Sequence, residues 1–510
     1  MSKKAIFIPI ITAFLTLFFY YMYNVRLEAT LPDEGWGRST NLEATSKYPM
    51  EYFSYLQDEQ LHVFMPDDGH VSYKVFDKSF KKIKEESIQA NVSPAEPIWA
   101  NDQQIIFMEN HQLLNNQDGK IEVVEKEINS FTPNENGVLY WNGKELKEYN
   151  ASTNKTKTIH TYEQPIYKAV QAKNGKSMLV ALQISDLEIH YYLWQNGDAK
   201  KLLEYSATGS ETIENLVYDA GEQKATAIIS KYTMAQGQRA HHATELKIDL
   251  ETSKIENNEK YTFYDEDNGA KLDNPRYLQV TYQGDNPTVL FVAEGNRVAK
   301  RFGYNVYYAS EKDGVWVAER RSNTVDSSAR PQWIGENYIA WQTFNGKEYV
   351  LNGTTNDEKY IDSSKEVNRD DYLSAFYYFI SGIFSGFFML VMGMVWVIPP
   401  LVLYGVLSYV KEDIFERNER TWVEPVGILL YLGTMIYMLN QVLSDNSFSA
   451  APSYLNFDGG LIVWPIIIGV LTYIIYRWVM GKDTGLFAGL FYYMGYNLLV
   501  MTCLFGPYLL

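Results

Sequence analysis

Few side chains in this chain are spaced as catalysis or metal binding would require. The seven histidines are His62, His70, His111, His160, His190, His241 and His242, and the tightest group is "HHATE", with His241, His242 and Glu245. On a strand His241 and Glu245 fall on one face, which could begin a metal site, but a tetrahedral centre needs further ligands. The preceding "MAQGQRA" reads as a hairpin tip, so a solvated turn is the simpler expectation. The acidic run "DEDNGAKLD", Asp265 to Asp273, offers oxygen ligands for calcium. Gly269, however, stands at the fifth position and Arg276 occupies the twelfth, where a bidentate Glu is needed. No G-x-S-x-G elbow, P-loop, H-E-x-x-H or G-x-G-x-x-G occurs. The sequence therefore predicts no catalytic residue, no metal and no cofactor.

Charge suggests a different chemistry. Residues 25–372 hold 38 Lys and Arg against 54 Asp and Glu, a balance of −16 within a chain of −17. Such a block repels nucleic acid and anionic headgroups, so no nucleic-acid partner is expected. Within it Arg297, Lys300, Arg301, Arg320, Arg321 and Arg330 concentrate positive charge. Gathered on one face they could dock an anionic wall polymer or an acidic partner. Cross-strand pairing with the surrounding acids is the competing expectation. The one cysteine, Cys503, permits no intrachain disulfide, which suits a bacterial envelope better than a eukaryotic secretory route. The Asn-X-Ser/Thr triplets at Asn91, Asn150, Asn154 and Asn352 are what an Asn-rich chain produces by chance.

Apolar segments flank the acidic block. "AIFIPIITAFLTLFFYYMYNV" follows Lys3 and Lys4, exceeds a signal h-region and lacks a small-X-small exit, so an uncleaved anchor over 1–24 with its N-terminus inside is expected. A linker over 25–51 follows, and a second over 363–372 leads to a helical membrane bundle over 373–510. The run Leu373–Val410 has no charge over 38 residues, about 57 Å as a helix against a hydrocarbon core of ~30 Å. Pro399 and Pro400 predict a break there, giving one span and a bent remainder, with a hairpin of two short spans as the rival. Further spans are expected near 422–443, 461–480 and 484–509. The basic connector "KEDIFERNER", the connector "SDNSFSAAPSYLNFDGG" without Lys or Arg, and the basic "RWVMGKD" alternate as inside, outside, inside. One crossing by the long run satisfies that parity. Gly382 with Gly386, and Gly485 with Gly489, predict close helix packing. Ionisable residues within the spans are few: Glu424 and Arg477 are expected to reach the interface, and Asn440, Gln441 and Asn497 remain as polar groups. Little here supports a coupled carrier.

Between Tyr52 and Asp362 short strands separated by Asn, Asp and Gly turns replace helical periodicity. Units such as "IWANDQQIIFMENHQLLNNQDGKIEVV", "FTPNENGVLYWNGKELKEYN" and "PQWIGENYIAWQTFNGKEYVLNG" open near residues 53, 98, 130, 166, 214, 276 and 332. Several strands per unit at that loose period predict a β-propeller over 52–362 of about seven blades, with a pair of β-sandwiches as the alternative. The pattern resembles the irregular propellers of the broad WD40-like and TolB-like type, in architecture only, since no Trp-Asp dipeptide closes a blade. "SEKDGVW", Ser310 to Trp316, is similar to a sialidase Asp-box but is one residue out of spacing and occurs once.

The combined expectation is a mainly β extracytoplasmic propeller on a multi-pass plasma-membrane protein, with one N-terminal and about four C-terminal helices. Its expected work is non-catalytic binding or scaffolding in the cell envelope, in contact with the lipid bilayer and a membrane or envelope protein. An envelope hydrolase acting on carbohydrate or peptide, or an accessory transporter subunit, is the alternative.

Overall fold

Tight turns set the strand pattern. Asp118-Gly119, Asn196-Gly197, Gln236-Gly237 and Asp313-Gly314 each place two successive residues at positive φ, the geometry of a two-residue hairpin whose twist matches its strands. In the computed structural model, residues 3–296, 302–324, 326–410, 422–443, 451–480 and 484–509 are described. They divide into two compact units, one built on 31–365 and one on 1–30 with 366–510.

The first unit is a seven-bladed β-propeller. Six sheets of four antiparallel strands cover 53–89, 99–125, 130–161, 166–206, 211–260, and 328–355 together with 40–46. The remaining blade, 263–320, has five strands closed on themselves, because Phe263–Asp265 pairs antiparallel with Lys271–Gln283 and parallel with Val315–Arg320. Consecutive strands within separate sheets rule out the paired sandwich. Second strands such as Gln104–Glu109, Ser177–Gln183 and Tyr338–Phe344 are buried almost throughout and read as continuous apolar runs. Fourth strands such as Lys82–Gln89 and Lys120–Glu125 are largely exposed and polar.

The segment expected as a linker over 25–51 instead contains a blade strand. Thr40–Ser46 pairs antiparallel with Tyr349–Thr355, so the N-terminal side of the unit closes the last blade. The closure is tied down on both sides. Gly37 N–H donates to the Thr355 carbonyl (3.0 Å), and the Thr354 hydroxyl donates to the Gly37 carbonyl (2.6 Å). A side chain at Gly37 would run into the Tyr360 ring. Tyr360 belongs to the short helix α2, Glu358–Ser364, and its hydroxyl donates to the Arg38 carbonyl (2.8 Å).

Among the described residues, the second unit holds five helices long and apolar enough to cross a membrane. They are α1 (Lys3–Glu28), α3 (Arg369–Val410), α4 (Val423–Val442), α5 (Gly460–Met480) and α6 (Leu486–Phe505), the last extended by a 3₁₀ turn to Tyr508. The expected break at Pro399 and Pro400 is absent: α3 runs through both for 42 residues. The prolines remove the donors to the Val395 and Trp396 carbonyls. Trp396 and Pro400 are nevertheless buried in the unit, so packing holds the axis where two bonds are lost. A continuous helix also excludes the hairpin of two short spans.

Small residues act within this unit. Gly382 lies under the Tyr20 ring of α1, and Gly386 faces Thr502 of α6 (3.6 Å). Gly489 lies under the Tyr476 hydroxyl of α5, whereas Gly485 is the N-cap of α6 and precedes the helix. Helix α1 is part of this packing: Thr12 Oγ1 and Tyr496 Oη are hydrogen-bonded at 3.0 Å, and the Tyr20 hydroxyl donates to the Tyr378 carbonyl (3.2 Å). Glu424 is buried within the unit, 3.6 Å from the Arg477 guanidinium. Asn497 is fully buried, accepting from the Tyr431 hydroxyl (3.1 Å) and donating to Thr472 Oγ1 (3.0 Å). Asn440 donates to the Ile436 carbonyl within its own helix (2.8 Å). Lys411, Arg417, Arg420 and Lys482, on which the charge alternation rests, lie outside the described residues.

Candidate binding site in the axial channel

The first strand of each blade faces the propeller axis, except that in the five-stranded blade it is Lys271–Gln283, counted below as its first strand. At one level, residues from all seven blades or the segments entering them line a cavity of about 430 Å³: Glu51, Pro97, Thr132, Lys168, Asn215, Tyr277 and Arg330 are one from each. A wider cavity of about 1330 Å³ opens toward the turns that leave these first strands, lined by Tyr55, Asn134, Lys173, Tyr282 and Trp333 among others. Pro133 borders both, so they form a waist and a mouth of one channel.

Four successive first strands break register at the waist. The interruptions fall between Ile166 and Lys168, Ile213 and Asn215, Arg276 and Gln279, and Ala329 and Gln332. A bulge leaves a residue unpaired and re-aims its side chain, and bulges concentrate beside functional sites. Two of these strands also carry left-handed backbone at the channel wall, Tyr277 (φ 53°) and Arg330 (φ 48°). Such conformations cost about 1–3 kcal/mol each in a non-glycine residue and persist only where the surroundings enforce them. The Arg330 guanidinium lies over the Tyr277 ring at 5.6 Å, donates from Nε to the Pro49 carbonyl (2.9 Å) and pairs with Glu51.

Lys168 reaches Asn215 Oδ1, and burial lowers its ammonium to about 8. Lys173, at the mouth, donates from Nζ to Thr281 Oγ1 (2.9 Å) and from its backbone to Asp219 Oδ1 (2.8 Å). Burial lowers Lys173 also, with the Asp219 carboxylate opposing that shift. A cationic lining inside an acidic domain is what these residues provide, and sequence reading pointed only to Arg330. The signal available was a lysine in "IYKAVQ", a strand otherwise destined for burial.

The other expected site residues are placed elsewhere. Arg297, Lys300 and Arg301 lie outside the described residues. Arg320 is buried and donates to the Ser322 carbonyl (2.5 Å). Arg321 is buried too, pairing with Asp33 (2.8 Å) and Glu319 and stacked between Trp36 (5.1 Å) and Tyr308 (5.0 Å). Neither presents a guanidinium on an outer face: Arg320 donates to a carbonyl, whereas Arg321 and Arg330 are paired with acids, so the three described arginines do not form a docking patch.

His241 and His242 are not in a solvated turn but within the strand Gln238–Asp249, four residues past the tip. They face Glu214 (3.1 Å) and Glu211 (3.4 Å) respectively, while Glu245 accepts from the Tyr261 hydroxyl (3.1 Å). The three therefore do not converge on one point. Asp265 caps its own turn, accepting from Asp267 N–H (2.9 Å). A further acidic group, Asp33, Glu266 and Glu319, is neutralised by Arg321 and by Lys312, which is 2.7 Å from Glu266. Four histidine–carboxylate pairs occur among the described residues, His62–Asp102 (3.1 Å), His190–Glu188 (2.8 Å) and the two above, and none lines either cavity.

No protein-family model matches the chain, and no curated protein sequence does. Among solved structures it is similar to the WD40 domain of SCAP from fission yeast, at 7% identity and a TM-score of 0.35, covering 64% of this chain and all of that one. The propeller assignment rests on the sheets themselves.

Proposed function

We propose that this chain is an integral protein of a bacterial plasma membrane that holds a non-catalytic β-propeller outside the cell for recognition of a membrane or envelope protein. The observation that carries the recognition half is the axial channel, bulged and polar at its waist and about 1330 Å³ at its mouth. A rigid disc with loops at its faces and a channel of that size suits binding a projecting segment of a partner. The membrane half is supported by the five apolar helices and by the packing of α1 with α3 and α6 in one unit. Lys3 and Lys4 then lie inside and the propeller outside, and five crossings leave the C-terminus outside.

Affinity purification of the full chain from solubilised, cross-linked membranes tests recognition. Wild type should recover a stoichiometric membrane or envelope protein, and charge reversal at the mouth, Lys173→Glu with Lys157→Glu, should lose it. Reversal on an outer strand, Lys84→Glu, should keep it. Equal recovery by wild type and both variants, or no stoichiometric partner, refutes the proposal. A tag at Leu510 digested in intact spheroplasts supports the five-span topology, and a protected tag refutes it.

A further inference from the structure

The waist of the channel contains a charge its own walls do not balance. Its ionisable lining consists of Glu51, Arg330, Lys168 and the phenols Tyr167 and Tyr277. Glu51 and Arg330 neutralise each other. Lys168 is left with a neutral acceptor, Asn215 Oδ1, and among the described residues no carboxylate lies within ion-pair distance of it. An ammonium has three donors, and an amide-bound lysine in a confined cavity is costly unless an anion completes its shell.

Asn215 is set to help such an anion. Its Oδ1 is occupied by Lys168 and by the Leu216 N–H (2.9 Å), which leaves the Nδ2 amide, without a partner among the described residues, as a second donor beside the ammonium. Lys168 and Asn215 sit on adjacent bulged strands, so the irregularity that spoils each ladder also brings the two groups together. Four aromatic side chains, Phe131, Trp141, Tyr167 and Tyr277, border the same cavity and supply an apolar part of its wall. About 430 Å³ lies within the range of small-molecule sites, and is far more than an inorganic ion fills.

We infer that the waist binds a small organic monocarboxylate with an aromatic or branched body, its carboxylate held by Lys168 Nζ and Asn215 Nδ2 and its apolar part against the aromatic wall. One negative charge fits because Lys168 and Arg330 against Glu51 leave one positive charge. The carboxylate is that of a free small molecule or of an acidic side chain on the partner proposed above. The inference rests on that reading of the channel.

Calorimetric titration and thermal unfolding of the full chain in detergent at pH 7 test it, with benzoate, its neutral isostere benzamide, and inorganic phosphate as probes. Benzoate should bind with a Kd of about 10 mM or tighter and raise the Tm, with benzamide weaker by roughly tenfold or more. Lys168→Met should abolish the benzoate response while melting no lower than wild type. Asn215→Asp, which supplies an internal carboxylate at equal volume, should abolish it independently should the first variant fail to fold. Equal binding of benzoate and benzamide, benzoate binding by Lys168→Met within about threefold of wild type, or tighter binding of phosphate each overturns the inference. The sources separate in the pull-down. Partner recovery lost with Lys168→Met and competed by benzoate marks an acidic partner side chain, and unchanged recovery beside lost benzoate binding marks a free molecule. Failure of benzoate binding with mouth-dependent partner recovery intact sinks this inference and leaves the proposed function standing.

Discussion

Replacing Arg321 by alanine should open the propeller at its closure. The guanidinium is 3% exposed, bridges Asp33 and Glu319, and lies between the Trp36 and Tyr308 rings. Asp33 and Trp36 belong to the segment that leads into the closing strand, whereas Glu319 and Tyr308 belong to the five-stranded blade. Truncation leaves Asp33 without its cation and Glu319 with only Lys312 at 3.6 Å, at about 3–5 kcal/mol for a broken buried pair. Each ring contact adds roughly 0.5–1 kcal/mol, so about 5 kcal/mol is at stake. At roughly 2 °C per kcal/mol for a domain of this size, the propeller transition should fall by about 10 °C. Differential scanning fluorimetry reads that shift, and limited proteolysis should cut within 31–46 before any other part of the propeller. Arg321→Lys keeps a charge without the planar fork and should lose about half as much. A melting shift below about 2 °C for Arg321→Ala, or first cleavage elsewhere, would refute the view that this arginine locks the closure.

Gly382→Leu should place a side chain into the Tyr20 ring and detach α1 from α3, costing about 1–3 kcal/mol, seen as a lower melting temperature of the helical unit in detergent. Pro399→Ala with Pro400→Ala should restore two backbone bonds to a helix that is already continuous, stabilising the helical unit by up to about 3 kcal/mol per proline and raising its melting temperature, and a decrease would show that α3 needs a local bend. Lys168→Met should stabilise the propeller by on the order of 1–3 kcal/mol at pH 7. The folded ammonium titrates near 8 and the unfolded one near 10.4, so the lysine's cost is full below 8 and fades as pH rises through that window. The gain measured at pH 7 should therefore shrink by pH 10.

The blades were legible in the sequence because six of their second strands are apolar runs bracketed by turn residues. Expected openings at 53, 98, 130 and 166 coincide with first strands beginning at Phe53, Trp99, Ser130 and Ile166. The error grows to several residues in the next three, which begin at Glu211, Lys271 and Ser328. Those three carry waist bulges, which break the period-2 alternation by which a strand is recognised, although the bulged strand Ile166–Gln171 was located without error. The closing strand "TNLEATS" escaped for another reason. It is polar, and its partner lies about 310 residues away, so nothing local marks it. The double proline misled because local propensity yielded to the burial of Trp396 and Pro400.

The arginine-rich stretch shows why charge clustering along a chain is a poor guide to charge clustering in space. Arg320 and Arg321 end a strand of one blade and turn inward, where Arg321 meets acids that arrive from the closing segment and its own strand. Ten residues later Arg330 sits on the first strand of the next blade, where a left-handed backbone turns it to the channel and Glu51 cancels its charge. The three are thus divided between closing the ring and lining its axis. What remains positive at the axis is Lys168, a residue with no charged neighbour in its own sequence segment. In a domain of strongly negative net charge, a half-buried cation at the waist without a carboxylate partner among the described residues is an electrostatic feature that the fold itself does not use. A ligand that supplies the missing charge accounts for this lysine better than stability does, since it costs the folded state more than an apolar side chain of the same length would.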